Sequence, residues 1–247
     1  MEFDFRPLQD TLRRVRASSL DVEIWWRDDD LIEPTPKLDR LLALADASGV
    51  PVHVAIIPKD VDSALPHRLP ATTAVPMVHG WAHQDHSLPK AKKSEFGHPR
   101  EDAAEDLRRG MTRLTDMFPN LAPVFVPPWN RIDPGLFPHL VQLGFRGLST
   151  FGNRPQKYAA KDLLQVNTHI DPIFWKDTRD LVPPDQLIAQ TTACLEARLE
   201  GRADVFEPLG LLTHHLVHTE AVWRFSQQWL CEMLDGGSLI KANILET

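Results

Sequence analysis

Residues 22–36 read VEIWWRDDDLIEPTP, an apolar run followed at once by three adjacent aspartates. The run predicts a first strand over residues 22–27, with Asp28, Asp29 and Asp30 at its C-terminal end. Neighbouring carboxylates repel one another and lose solvation when buried, so a strand that ends on three of them holds a cation or uses a proton there. The turn is followed by a helix with both signals in place. Thr35 and Pro36 supply an N-cap and a first helical position, Leu38, Leu41, Leu42 and Ala45 a buried face, and Gly49 the stop.

The same alternation extends in both directions. Upstream, Leu8, Leu12 and Val15 fall at helical spacing and predict an outer amphipathic helix over about 7–18. Downstream, VPVHVAIIP (50–58) and AVPMVHG (74–80) read as strands covered on both faces. A charged helix over 100–118, a strand in APVFVPPW (122–129), and a short helix in PGLFPHLVQLGF (134–145) running into RGLST follow. After a loop-rich middle come a helix framed by Pro184 and Gly201, a strand in EPLGLLTHH (207–215), and a last helix from Thr219 to Leu234. Strand and helix in alternation imply an α/β fold with a parallel sheet, and 247 residues suit one closed or partly closed (β/α) barrel spanning residues 1–247.

Composition narrows the function. A net charge of -7, with 34 acidic against 27 basic side chains, excludes a nucleic-acid binder, which needs clustered cations. The longest basic cluster, KAKK (90–93), reads as a solvated loop. Cys194 and Cys231 lie far apart within helical patterns and make neither a disulfide framework nor a zinc site. The N-terminus lacks a secretory apolar segment and no run approaches the ~18 apolar residues of a membrane span, so the expectation is a soluble cytoplasmic protein.

The chemistry-bearing residues gather at strand ends. The aspartates end the first strand, HGWAHQDH (79–86) the third, VPPWNR (126–131) the fourth and LLTHH (211–215) the last. His79 and His83, four apart, can reach one ion, with His86 in reserve. Each feature alone also fits a plain role, such as a turn, a cap or a packing ring. Four of them at one mouth of a barrel point to a metal hydrolase.

These motifs, with DPIFW (171–175) between them, resemble the polysaccharide deacetylase family of the NodB homology fold, carbohydrate esterase family 4, over roughly residues 22–215. The resemblance implies a distorted (β/α)7 barrel holding one divalent ion, commonly zinc. It implies Asp28 as catalytic base, and Asp29, His79 and His83 as metal ligands. The Trp129 N–H, aimed by Pro128, would face the oxyanion, and His214 would be the acid, oriented by Asp171 in a segment that also carries Trp175. His215 is the alternative acid, and Asp30 has no assigned role. Two departures stand out. Val126 occupies the place of the family's base-holding arginine, leaving Arg131 or Arg27 to supply that charge, and WWR replaces the usual Thr-Phe before the aspartates. The implied reaction is removal of an N-acyl group, such as acetyl, from an amino sugar or related small amide. The alternatives are an amidase for ureido or formyl groups on the same fold, or a metal-containing binding protein with impaired turnover.

Overall fold

The computed structural model describes residues 3–246. Its first element is α1 (Arg6–Ala17), with Leu8, Leu12 and Val15 buried. β1 (Glu23–Leu31) leads to α2 (Pro36–Ser48), where the Thr35 hydroxyl accepts from the Leu38 N–H and Gly49 closes the helix at φ 70°. β2 (Val52–Ile56), β3 (Ala74–His79), α3 (Ala103–Met117), β4 (Val124–Val126) and α4 (Phe137–Gln142) come next. β5 (Gly147–Leu148), β6 (Tyr158–Ala160), β7 (Leu163–Gln165), α5 (Pro184–Leu199), β8 (Leu209–Thr213), α6 (Glu220–Asp235) and β9 (Leu239–Ile240) complete the order.

The strands run β6-β7-β5-β4-β3-β2-β1-β8 across one sheet, with β9 beside the first residues of β1. All pairings are parallel except that of β6 with β7. The segment after β7 bridges the two ends of the curl, pairing Thr168 with Phe151 and Ile170 with Leu211 of β8. A distorted barrel of the expected (β/α)7 kind results, closed by single bridges. Its closing stave lies in the stretch that sequence periodicity left as loop, because short strands of two or three residues carry too few positions to show a period.

β1 also differs from expectation. It continues through all three aspartates to Leu31, with a register shift against β2 between Asp28 and Leu31. Alternation along it separates two cores. Trp25 belongs to the cluster inside the curl with Ala55, Met77, Val124 and Val126, its indole N–H donating across the barrel to the Asn167 carbonyl at 3.0 Å. Trp26 faces outward into the larger core under the helices, with Leu38, Leu41 and Trp229, and donates to Thr213 Oγ1 at 2.8 Å. Both rings are fully buried, each contributing roughly 3 kcal/mol with its N–H satisfied. They fix which way the residues of β1 point up to the register shift after Asp28.

Candidate active site

Counting on from the tryptophans, Arg27 and Asp29 point inward and Asp28 outward. Asp28 is fully buried between β1 and β8. Its carboxylate accepts from Thr213 Oγ1 at 2.6 Å and the His215 N–H at 3.0 Å, and meets His215 Nδ1 at 2.5 Å. Burial opposes its ionisation, yet the neighbouring His215 and the hydroxyl hold it below the usual carboxylate range. Asp28, expected to be the base, has no path to the barrel mouth, and neither has His215, the alternative acid. Asp30 breaks the alternation with a φ of 71°, and this bulge turns its side chain back toward the mouth. The aspartates that face the mouth are therefore Asp29 and Asp30, one residue later than the motif resemblance implied.

His79 ends β3, and its Nε2 lies 3.1 Å from Asp30 Oδ1. His83 reaches the same oxygen with Nε2 at 3.3 Å from a left-handed backbone, φ 51°. His79 Nδ1 donates to the Val126 carbonyl at 2.9 Å, which leaves the Nε2 lone pair aimed at Asp30. Buried Glu95 holds the loop between the two histidines, accepting the N–H groups of Trp81 at 3.2 Å and Ala82 at 2.8 Å. Gly80, at φ 59°, makes this possible: a Cβ there would strike both Glu95 and Pro128. No sequence signal marks Glu95, an acid in a loop beyond KAKK.

The ligand atoms of Asp30, His79 and His83 lie within 4.8 Å of one another. Two imidazoles converging on one carboxylate oxygen, one of them fixed by a backbone carbonyl, suit a divalent cation with room for further ligands. Burial alone would raise Asp30, but the facing imidazoles hold it well below the usual carboxylate range. Burial would lower His79, but the charges of Asp29 and Asp30 raise it, whereas burial and His79 itself lower His83. Asp29 is not part of this cluster, contrary to its expected role as ligand. Exposed His86 stands outside it too, its N–H bonded to the Ser94 carbonyl.

Asp29 is instead ion-paired with Arg27. Nε lies 2.9 Å from Oδ1 and Nη2 2.9 Å from Oδ2, and both side chains are buried. The guanidinium also donates to Ser149 Oγ at 2.8 Å and Asn130 Oδ1 at 2.7 Å. The buried cation at Asp29 thus comes from β1, whereas β4 ends on Val126. Arg131 lines the same cleft but makes no ion pair with Asp29, donating instead to the Lys93 carbonyl at 2.7 Å.

Asp29, Asp30, His79 and His83 line a cleft of about 730 Å³ whose other walls include Trp129, Asp171, Trp175 and His214. His214 Nε2 stands 4.0 Å from Asp29 Oδ2. Asp171 accepts the Ile173 N–H at 2.9 Å and the Trp175 indole at 2.8 Å, and burial raises its pKa. The Trp175 ring meets His214 edge-on at 4.6 Å, so this one side chain touches both residues. Trp129 and Asn130 both have left-handed backbones, φ 56° and 57°, in the short turn after Pro128, and the Trp129 ring packs on His83 at 4.3 Å.

By sequence the chain matches no protein-family model and no curated protein. By structure it is similar to a candidate polysaccharide deacetylase from Mycobacterium smegmatis, with a TM-score of 0.61 at 17% identity over 90% of this chain and 87% of that one. It is similar also to the polysaccharide deacetylase Bc1974 from Bacillus cereus (TM-score 0.55, 15% identity, 90% and 92% covered). A family 4 carbohydrate esterase from Streptomyces lividans, solved in complex with acetate, gives 0.54 at 11% identity over 90% and 92%. The chain has the polysaccharide deacetylase fold, as its motifs implied.

Proposed function

We propose that the protein is a metal-dependent hydrolase that removes an N-acyl group, acetyl in the first instance, from an amino sugar or related small amide. The observation that carries this reading is the convergence of His79 and His83 on Asp30 directly beside an Arg-held Asp29 in one open cleft. Asp30, His79 and His83 would hold a divalent ion, zinc by the chemistry of an imidazole-rich set. When bound, such an ion polarises an acyl carbonyl and makes water more acidic.

The chain's own groups supply the rest. Asp29 is the general base, oriented by its two contacts to Arg27 and free of the metal cluster. His214, across the cleft, is the acid that delivers a proton to the leaving amine, its ring steadied by Trp175, which Asp171 anchors. The turn at Trp129 supports a role for its N–H at the carbonyl oxygen, since Pro128 and the two left-handed residues fix its direction. Against an impaired binding protein, which the arginine missing at position 126 would favour, Arg27 at Asp29 supports turnover.

The test is elemental analysis of the purified protein followed by acetate release from N-acetylated amino sugars with and without a chelator. One divalent ion per chain, with chelator-sensitive release restored by zinc, is expected. A protein that takes up no divalent ion, or releases acetate equally after chelation, overturns the reading.

A further inference from the structure

Beyond its catalytic floor, the cleft carries three cations from three separate loops: Lys93 between β3 and α3, Arg131 after β4, and Arg179 before α5. None of them has an ion-pair partner among the described residues. Some exposed arginines elsewhere find carboxylates, as Arg40 finds Glu220 and Arg108 finds Glu105, and others such as Arg113 and Arg224 do not; what sets these three cations apart is that they gather around one cleft. The acids within the cleft are already committed. Asp29 pairs with Arg27, Asp30 lies between two imidazoles, and Asp171 accepts from Ile173 and Trp175. Asp85, the acid that senses Lys93, accepts the N–H groups of Ser87 and Ser94. Arg131 is also held in place: one nitrogen donates to the Lys93 carbonyl, and this bond ties two of the three cations together.

A bound divalent ion would add positive charge to this wall. Cations gathered on the wall of a concave site, none of them in a direct ion pair among the described residues, focus the field on an incoming anion. Phe151 and Trp175, 41% and 43% exposed, add faces on which a sugar ring can lie. The volume of about 730 Å³ suits one or two sugar units. We infer that the substrate is a small N-acyl amino sugar or similar amide bearing its own negative charge, a carboxylate or a phosphate, which Lys93, Arg131 and Arg179 hold. This rests on the hydrolase reading for the reaction and goes beyond it for the substrate class.

Two measurements test it separately. Calorimetry on the zinc-loaded Asp29→Asn protein compares N-acetylglucosamine and its dimer, both neutral, with N-acetylglucosamine 6-phosphate and with N-acetylmuramic acid, which carries a carboxylate. Acetate release by the zinc-loaded wild type gives kcat and KM for the same four. At least one anionic ligand should bind about tenfold more tightly than its neutral counterpart, the better of the two naming the anion. That preference should shrink between about 50 and about 500 mM salt. Arg131→Gln should bring the ratio toward one through KM rather than kcat, and Arg179→Gln and Lys93→Gln serve if that variant does not fold. Equal or tighter binding of the neutral sugars, no binding of any of the four, or a preference that survives all three substitutions overturns the inference. An anionic preference in binding without acetate release would leave it standing and sink the proposed reaction.

Discussion

Two clusters, each of one aspartate and two histidines, lie on opposite faces of β1. Asp30 with His79 and His83 opens on the cleft, whereas Asp28 with His215 and His218 is sealed beneath the helices. In the open cluster both histidine Nε2 atoms aim at one carboxylate oxygen. In the sealed one His215 engages Asp28 through Nδ1, its buried Nε2 has no partner among the described residues, and burial depresses His218 to about 3. Composition is the same in both. Access to solvent and the direction of the ring nitrogens make one a place for an ion and the other a structural clasp.

The strongest way to break this contrast is to exchange the roles of the aspartates. Asp30→Asn should abolish tight metal binding by elemental analysis and reduce hydrolysis by at least ~1000-fold, for loss of the ligand that orders the site. Asp28→Asn should keep the ion but lower unfolding free energy by about 3 kcal/mol in denaturant titrations, since it breaks a buried charged contact. An Asp28→Asn protein without metal would erase the distinction.

A smaller effect sharpens the division within the open side. Asp29→Asn should retain the ion while kcat falls by ~100-fold, because a general base is lost and the ligand set is not. Arg27 keeps its bonds to Ser149 and Asn130, so the variant should remain folded. Loss of metal in that variant would mean Asp29 belongs to the ligand set.

The smallest effect probes the sealed side by pH. His218 has a folded pKa of about 3 because it is buried, below the ~6.5 of an unfolded histidine. Its contribution to stability is therefore complete above pH ~6.5 and is lost as pH falls toward 3. Between pH 7 and 5 the loss should be about 2 kcal/mol, measured by denaturation with chelator present, and His218→Gln should remove that part of the slope. Identical slopes in the two proteins would show that His218 titrates normally.

Much of this was legible in the sequence. Thr35 and Gly49 bound their helix as their chemistry dictates, and the long apolar runs became β2 and β3. His79, His83, Trp129, Asp171 and His214 all line the same cleft. The register of DDD was not legible, because the prolines in LIEPTP mark where a strand must stop and not where a bulge begins. Asp30's left-handed backbone shifts the pair facing the mouth by one residue. Arg27 was visible only as an alternative, since its bond to Asp29 depends on both pointing inward from one strand. Glu95 and Asn130 reach the site through loops that no periodicity describes, and Lys93 ends a charge run that looked merely solvated.

Asp30's backbone constrains how this position can drift over generations. A left-handed residue inside a strand costs most side chains ~1–2 kcal/mol, and Gly, Asn, Asp and, less readily, His enter that region. Glutamate could supply a ligand atom but would strain the turn, and glycine would relax it while supplying nothing. Asparagine keeps the turn and discards the charge. A single-base route from aspartate to asparagine would thus silence the centre in a chain that still folds, so inactive descendants of this protein should be recognisable by an intact barrel and an amide at residue 30.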